Sequence, residues 1–480
     1  MHTLCIKGGR VIAPDEDKIA DIGIQDGKIA EVGENLQASA TVDATGMLVL
    51  PGMIDTHVHI RGGKFAYRED FASGTRAAAA GGVTTLLEMP VGDPPVSTPQ
   101  AVSAQIRSVS REAIVNVALY GGAGGDNLKQ VASLAKAGVI GYKTFIMPPP
   151  PGREAEFYGL CSGDLDTLCA VMAEVKKTGL PLAIHAEDNA IVTACTKKMM
   201  AEGGNDLESW SLSRPPEAEL AAIRTVVSAA KKTGCRTSIC HVSTPGGLDL
   251  IKEAANHGVD ICAESCPSYL TMDRELVRLA GVFSRVKPPL RSPADRRELC
   301  NRLGRGELCN RLGRGEICHR SSRGEIAFVG SDHAPYTPEE KLSGDSIWNS
   351  PDGMPGLEMA LLQMLSMVQQ GFITYYQMAA LTSHRAAEHF RLPGKGGIIA
   401  GKDADLVLVR PDVAPWSPEK SKLHTKAREC GCCFELLSFR HRIDKTFVGG
   451  KLVYDNGVFF QHTGPDRFLC GADYYKKSEK

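Results

Sequence analysis

Eight short apolar segments, rich in β-branched residues, recur through the middle of the chain and alternate with stretches of helical spacing. The segments are residues 48–56, 83–89, 114–120, 140–146, 182–185, 237–242, 259–263 and 326–329. Strands that are apolar throughout and alternate with helices indicate a parallel sheet covered on its outer face. The number eight favours a closed (β/α)8 barrel, an α/β fold, over an open doubly wound sheet. Helices are predicted, for example, over residues 68–80, 164–177, 217–232 and 246–256.

Both ends of the chain have a different pattern, with short strands separated by glycine and aspartate turns. Gly8-Gly9 and Asp26-Gly27 are typical of hairpin turns near the start, and Gly449-Gly450 is typical of one near the end. Two β-rich ends around a barrel predict a small β-sandwich domain built from both termini. The expected division is residues 1–50 and 396–480 for this domain, and 51–395 for the barrel.

The composition and net charge of the chain limit the kinds of molecule that it is expected to bind. The 480 residues carry a formal net charge of −1 and no basic stripe, which argues against nucleic acid and favours a small neutral or weakly charged substrate. No apolar run approaches the roughly 18 residues of a membrane helix. The start of the chain has no signal-peptide pattern, and the fifteen cysteines are scattered, so a reduced, cytoplasmic protein is expected.

A nonapeptide repeat interrupts the barrel pattern. Residues 298–306 read ELCNRLGRG, residues 307–315 repeat them letter for letter, and residues 316–324 form a degenerate third copy. Its glycines oppose a continuous helix, and its period is shorter than that of solenoid units. The segment is expected to be a surface loop or frayed helix between strands seven and eight, and Cys318 and His319 are not expected to bind metal.

Metal-ligating residue types stand at the ends of the predicted strands. His57 and His59, two apart on the first strand, point to the same side and form half of a metal site. Others follow at strands four, five, six and eight: Lys143, His185, His241 and Asp332. Each has an ordinary alternative, such as a core histidine, a lysine at the rim or an aspartate that caps a loop. Since barrel active sites lie at the carboxyl ends of the strands, the six together predict a metal centre.

Lys143 is unusual among metal ligands, because an ammonium group beside two cations is repelled and costly to bury. A neutral lysine amine can take up carbon dioxide and become an anionic carbamate that bridges two metal ions. A Schiff-base lysine is the competing interpretation of a lysine at a barrel mouth. The surrounding histidines favour the carbamate.

Several longer motifs resemble the amidohydrolase superfamily, and in particular its cyclic amidohydrolases: allantoinase, dihydroorotase, dihydropyrimidinase and hydantoinase. The motifs are PGMIDTHVH (51–59), GGVTT (81–85), EMP (88–90), HAE (185–187), CPSYL (266–270), PPLR (288–291), SDHAP (331–335) and GKDADL (401–406). They extend over almost the whole chain. Relative to the family, the distance between PPLR and SDHAP is about twenty residues longer here, which matches two copies of the repeat.

The resemblance implies a ligand set and a reaction. His57, His59 and Asp332 would hold one divalent ion, His185 and His241 a second, with carboxylated Lys143 between them; zinc is the expected metal. A water activated between the ions would open a cyclic amide, with Asp332 accepting its proton and passing it to the departing nitrogen. Asp55 is expected near the ligands but without a catalytic role.

The sequence constrains the identity of the substrate ring less than it constrains the metal site. EMP and HAE look most like allantoinase, so hydrolysis of allantoin to allantoate ranks first, hydantoinase-like or dihydropyrimidinase-like activity second and dihydroorotase third. Arg61 matches the position from which dihydroorotases hold a substrate carboxylate. The alternative is that Arg61 is a solvated charge at the rim of the barrel. Val91 replaces the asparagine of dihydroorotases, and Lys287 faces either substrate or solvent.

Two further expectations come from the same resemblance. Some relatives keep the barrel but lose metal ligands and serve as non-catalytic assembly proteins, an alternative that occupied ligand positions disfavour. Relatives are commonly oligomers, so a homodimer or homotetramer is expected.

Overall fold

A computed structural model describes residues 2–14, 16–304 and 325–471. The second and third copies of the nonapeptide repeat, with Cys318 and His319, lie outside the described residues. Residues 298–303 of the first copy belong to a helix.

The strands, numbered in chain order, alternate with the helices through the middle of the chain. They are β1 His2–Ile12, β2 Asp17–Gln25, β3 Lys28–Gly33, β4 Ala38–Asp43, β5 Leu48–Pro51, β6 Met53–Val58, β7 Val83–Glu88, β8 Asn116–Gly122, β9 Gly141–Phe145, β10 Leu182–His185, β11 Thr237–Ile239, β12 Ile261–Ser265, β13 Phe328–Val329, β14 Leu406–Arg410, β15 Arg442–Val448, β16 Lys451–Asp455 and β17 Val458–Phe459.

The α-helices of the described residues are also numbered in chain order. They are α1 Phe71–Ala80, α2 Pro99–Glu112, α3 Val131–Ala137, α4 Leu165–Thr178, α5 Asn189–Ala201, α6 Leu207–Leu212, α7 Pro216–Thr233, α8 Pro245–Asn256, α9 Pro267–Thr271, α10 Pro293–Leu303, α11 Pro338–Leu342, α12 Ala360–Gln369, α13 Tyr375–Ala379 and α14 Arg385–His389. In α4, for example, the Asp164 side chain accepts a hydrogen bond from the Thr167 amide, and Gly179 ends the helix at φ +69°. None of the helices in the described ranges combines the length and the apolar character that a bilayer crossing demands.

The predicted barrel is confirmed. In the described residues, β6 to β13 form one parallel eight-stranded sheet in sequence order. A parallel bridge between Val58, the last residue of β6, and His333, just after β13, brings the two edges together. The strands are buried along their whole length, with apolar side chains packing both inside the sheet and against the helices. Their carboxyl ends therefore share one mouth.

The β domain from both termini is also confirmed. Its sheet runs in the order β17-β16-β15-β14-β5-β1-β2-β3, with β4 paired to β1, so that β5 and β14 join the two ends of the chain.

Two strand predictions are wrong. Residues 48–56 are not one strand: β5 belongs to the sheet of the β domain and β6 to the barrel. The chain passes from one to the other at Gly52, where a Cβ would overlap the side chain of Thr84. Gly8-Gly9 is not a hairpin turn either, because β1 continues through both glycines with a register shift against β2.

Candidate metal centre

His57, His59 and Asp332 meet at the barrel mouth. His57 lies on β6 and His59 just beyond it, while Asp332 follows β13. Oδ1 of Asp332 is 3.4 Å from Nε2 of His57 and 3.6 Å from Nε2 of His59. Candidate ligand atoms of the three residues all lie within 4.8 Å of one another, which is the spacing that a single metal ion requires.

His185 and His241 form a second pair beside the first group. His185 ends β10, and His241 follows β11 in a turn. Nδ1 of His185 is 3.1 Å from Nε2 of His241, so the two atoms face the same point. The ring centres of His57 and His241 are 5.2 Å apart, which joins the two groups into one cluster.

Lys143 lies within β9, with none of its surface exposed. Its Nζ is 3.0 Å from Sγ of Cys240, the residue before His241. Burial lowers the pKa of His57 and His241 well below the usual value. The imidazoles are therefore neutral at pH 7 and keep lone pairs for a metal.

Glu264, at the mouth end of β12, orients His57. Oε1 of Glu264 is 2.8 Å from Nδ1 of His57, and Oε2 accepts a 2.6 Å hydrogen bond from the hydroxyl of Thr56. A carboxylate acceptor at Nδ1 assigns the proton to that nitrogen and leaves the lone pair of Nε2 facing Asp332. Glu264 was not predicted from the sequence, because strand seven is predicted to end one residue earlier. The signal that could have identified Glu264 is a carboxylate directly after a predicted strand.

A corresponding series of hydrogen bonds orients His185. Its Nε2 is 3.1 Å from Oε2 of Glu187, which accepts a 2.6 Å hydrogen bond from Nη1 of Arg214. Although burial opposes it, the guanidinium of Arg214 lowers the pKa of Glu187 below its usual value. Glu187 therefore stays charged and holds the ring of His185 in place.

Asp55 contacts the cluster through the main chain. Its Oδ1 accepts hydrogen bonds from the amides of Ser331, at 2.8 Å, and His57, at 3.2 Å. Burial raises its pKa to about 6. The carboxylate thus ties the end of the last barrel strand to the first.

The two predicted substrate-binding residues have different positions. The amide of Arg61 donates to Glu88 at 3.2 Å, and its Nη2 donates to the hydroxyl of Tyr336 at 3.3 Å. Arg61 is 5 % exposed, and among the described residues its Nε and Nη1 have no hydrogen-bond partner. Lys287 lies outside the six-residue cluster, with its Nζ 2.6 Å from Oδ2 of Asp352.

The four histidines and Asp332 have the donor chemistry of a site for divalent ions. Neutral imidazoles and a carboxylate are the ligands that zinc prefers. His241 and Asp332 reach the cluster from left-handed backbone conformations, at φ +41° and +51°. Such conformations cost about 1–3 kcal/mol each in non-glycine residues and concentrate at functional sites.

The barrel and the histidine-rich mouth agree with a hydrolase. Residues 48–453 match the amidohydrolase family, and the chain belongs to that family.

Two relatives are similar over nearly the whole chain. An allantoinase of Rubrobacter xylanophilus is 34% identical over 460 residues, which cover 95% of this chain and 94% of the relative. An allantoinase of Bacillus velezensis is 31% identical over 459 residues, covering 95% of each chain.

Two solved structures share the architecture. L-hydantoinase (dihydropyrimidinase) from Arthrobacter aurescens superposes with a TM-score of 0.89 at 29% identity, over 98% of this chain and 100% of the other. Dihydropyrimidinase from Brevibacillus agri gives a TM-score of 0.83 at 26% identity, over 96% and 97%. The resemblance to cyclic amidohydrolases is therefore confirmed along the full chain.

Proposed function

We propose that the protein is a metal-dependent hydrolase that opens the ring amide of a cyclic ureide, with allantoin, converted to allantoate, as the first candidate substrate. The family and the relatives make it a hydrolase of cyclic amides. The observation that carries the proposal is the convergence of four imidazoles, a carboxylate and Lys143 at one barrel mouth.

Each residue of the cluster has a role in this proposal. His57, His59 and Asp332 would hold one divalent ion and His185 and His241 the other, and Lys143, as a carbamate, would contribute to both sites. Bound there, the ions, expected to be zinc, lower the pKa of water from 15.7 to about 7 and polarise the ring carbonyl. Glu264 and Glu187 keep the imidazoles of His57 and His185 in ligating orientations.

Asp332 is the proposed proton carrier. About a fifth of its side chain, 19%, is exposed at the mouth, so its carboxylate can reach a bound ring. It accepts the proton of the attacking water and delivers it to the departing ring nitrogen. General acid–base assistance of this kind contributes about 10²–10⁴-fold in rate.

Arg61 is proposed to hold a polar group of the substrate. Its buried guanidinium keeps two donor atoms without a partner among the described residues, and a ligand carbonyl or carboxylate can satisfy them. Lys287, at 24% side-chain exposure, is also proposed to contact the substrate.

Hydantoinase-like or dihydropyrimidinase-like ring opening is the second candidate, favoured by the superposition on L-hydantoinase. Dihydroorotase activity ranks third, because Val91 replaces the asparagine expected after the Met-Pro pair. Measuring the metal content of the purified protein distinguishes the proposed hydrolase, which should bind metal, from a non-catalytic assembly protein. We also propose that the protein is a homodimer or homotetramer and that it is located in the cytoplasm.

A substrate panel tests the proposed function. Allantoin, hydantoin, dihydrouracil and dihydroorotate are assayed side by side with zinc-loaded protein, chelated protein and chelated protein after zinc is restored. We expect the highest kcat/KM for allantoin, loss of activity on chelation and recovery with zinc. Protein that retains two equivalents of metal but opens none of the four rings would contradict the proposal.

Lys143→Ala is assayed in the same way. The variant should lose bound metal and activity, and a small carboxylate added to the buffer should partly restore both. Turnover by Lys143→Ala at the normal rate would rule out the bridging carbamate.

A further inference from the structure

Three cations gather around the indole of Trp210 at the barrel mouth. The guanidinium carbons of Arg285 and Arg214 are 3.7 Å and 4.6 Å from the ring centre, and Nζ of Lys287 is 5.6 Å from it. Trp210 and Arg214 follow strand β10, and Arg285 and Lys287 follow β12, so all four lie on the side of the barrel where the strands end. We call these four residues, with Asp352, the Trp210 cluster.

The Trp210 cluster carries more positive than negative charge. Nη1 of Arg214 is 2.6 Å from Oε2 of Glu187, and Asp352 is shared by Nζ of Lys287, at 2.6 Å, and Nε of Arg285, at 3.0 Å. When Glu187 is counted with the Trp210 cluster, three cations in the described part of the chain face two carboxylates. Asp352 is fully charged at neutral pH, because Lys287 and the arginines outweigh burial and lower its pKa to about 2. One positive charge remains in excess.

The cluster also contains buried donors that lack acceptors. Within the ranges that the structure describes, Nη1 of Arg285, Nε of Arg214 and Nε1 of Trp210 have no hydrogen-bond partner. The three residues are 3 %, 7 % and 4 % exposed. Stacking on an indole face stabilises a guanidinium, but it leaves the N–H groups in the guanidinium plane unpaired. An acceptor atom within reach of these N–H groups would supply hydrogen bonds that the described residues do not.

The cluster lies beside the metal centre. Arg214 holds Glu187, and Glu187 in turn holds the proposed ligand His185. Lys287 keeps 24% of its side chain exposed, so the cluster is open toward the mouth. A substituent on a ring bound at the metal centre therefore has a direct approach to it.

We propose that the Trp210 cluster is a subsite for an anionic substituent, so that the enzyme prefers a given ring with a carboxylate substituent over the same ring with a neutral substituent of the same shape. The inference rests on the proposed ring-opening function. A monoanion balances the single excess charge, and a planar carboxylate matches the donors of a guanidinium. A phosphate dianion would leave a buried negative charge instead.

Two matched compounds test the preference. Hydantoin with a carboxymethyl group at ring carbon 5 is compared with hydantoin that carries the neutral carbamoylmethyl group, which has the same shape. We expect kcat/KM of the zinc-loaded enzyme to be about tenfold to a hundredfold higher for the carboxylate.

Binding of the ring-opened products provides a readout independent of turnover. Calorimetry on the full-length, zinc-loaded protein compares N-carbamoylaspartate with N-carbamoylasparagine, and we expect the former to bind about tenfold to a hundredfold more tightly. Lys287→Gln should remove the preference, and Lys287→Arg should keep it. Lys177→Gln, at an exposed lysine of α4, is the matched control and should change neither measurement.

The outcomes separate the two proposals. Equal binding and equal kcat/KM for the charged and neutral partners would overturn the subsite while ring opening stands. A Lys287-dependent binding preference without hydrolysis of either ring would support the subsite and overturn the proposed function. If both preference and hydrolysis are absent, both proposals fall.

Discussion

Glu264 lies beside the candidate metal centre, and its effect on His57 depends on the identity of a single atom. Its carboxylate can only accept hydrogen bonds, so it holds the proton of His57 on Nδ1 and keeps Nε2 available as a ligand atom. A glutamine at the same place would lose the negative charge and, with its NH2 group turned toward the imidazole, would present a donor to Nδ1. The proton would then move to Nε2, where it would block metal binding.

We therefore expect Glu264→Gln to weaken zinc retention about 10- to 100-fold, the usual effect of losing an outer partner of a ligating histidine. Competition with a chromogenic chelator measures the affinity. Glu253→Gln, at an exposed position of α8, is the control and should retain zinc normally. Wild-type affinity in Glu264→Gln would show that the tautomer of His57 is not set by this residue.

The sequence was sufficient to predict which residue types lie at the barrel mouth, but not which side chains contact them. His57, His59, Lys143, His185, His241 and Asp332 were recognisable because each lies in or just after an apolar strand. The contact between Lys143 and Cys240 joins β9 to the turn after β11, and no spacing along the chain indicates it. The same holds for the three cations on Trp210, which come from two separate loops.

Among the elements, the close packing of β13 against β6 depends on Gly330. A Cβ at this position would lie 2.7 Å from Cβ and 2.9 Å from the amide nitrogen of His57. The backbone of a ligand residue cannot move aside as a flexible side chain can. The absence of a side chain at Gly330 therefore sets the position of His57.

Gly330→Ala should displace His57, lower the free energy of unfolding by about 1–3 kcal/mol and reduce zinc affinity. Denaturant unfolding and the chelator competition measure the two effects. Gly163→Ala is the matched control, since a Cβ there meets no atom within 4 Å and its backbone needs no left-handed conformation. Equal behaviour of the two variants would contradict this account of the packing.

Helix boundaries were predictable where the capping residue was recognised. The helix expected over residues 164–177 is Leu165–Thr178, directly after the cap Asp164. The helix expected from residue 68 begins at Phe71, because Asp70 accepts a hydrogen bond from the amide of Ser73 and caps it there. The division at Gly52 was not predictable, since it depends on two sheets that meet only in the folded molecule.

At the scale of the whole molecule, one buried lysine links the barrel to the β domain. Nζ of Lys395 lies 2.7 Å from Oδ2 of Asp405 and 3.0 Å from Oδ2 of Asp403. Oδ2 of Asp405 also accepts a 3.0 Å hydrogen bond from the side chain of Asn116 on barrel strand β8. Two carboxylates and a barrel amide thus converge around a single ammonium group that is 8 % exposed.

Lys395→Met should lower the free energy of unfolding by about 3–5 kcal/mol, because it leaves two aspartates close together without their shared cation. Lys28→Met removes a 2.8 Å ion pair with the same Asp403, but the side chain of Lys28 is 55% exposed, so the loss there should stay below about 1 kcal/mol. Denaturant unfolding of both variants measures the difference. Similar losses would mean that this cluster does not hold the two domains together. If Lys395→Met alone is strongly destabilised, burial of the charge rather than the number of ion pairs determines the strength of the link.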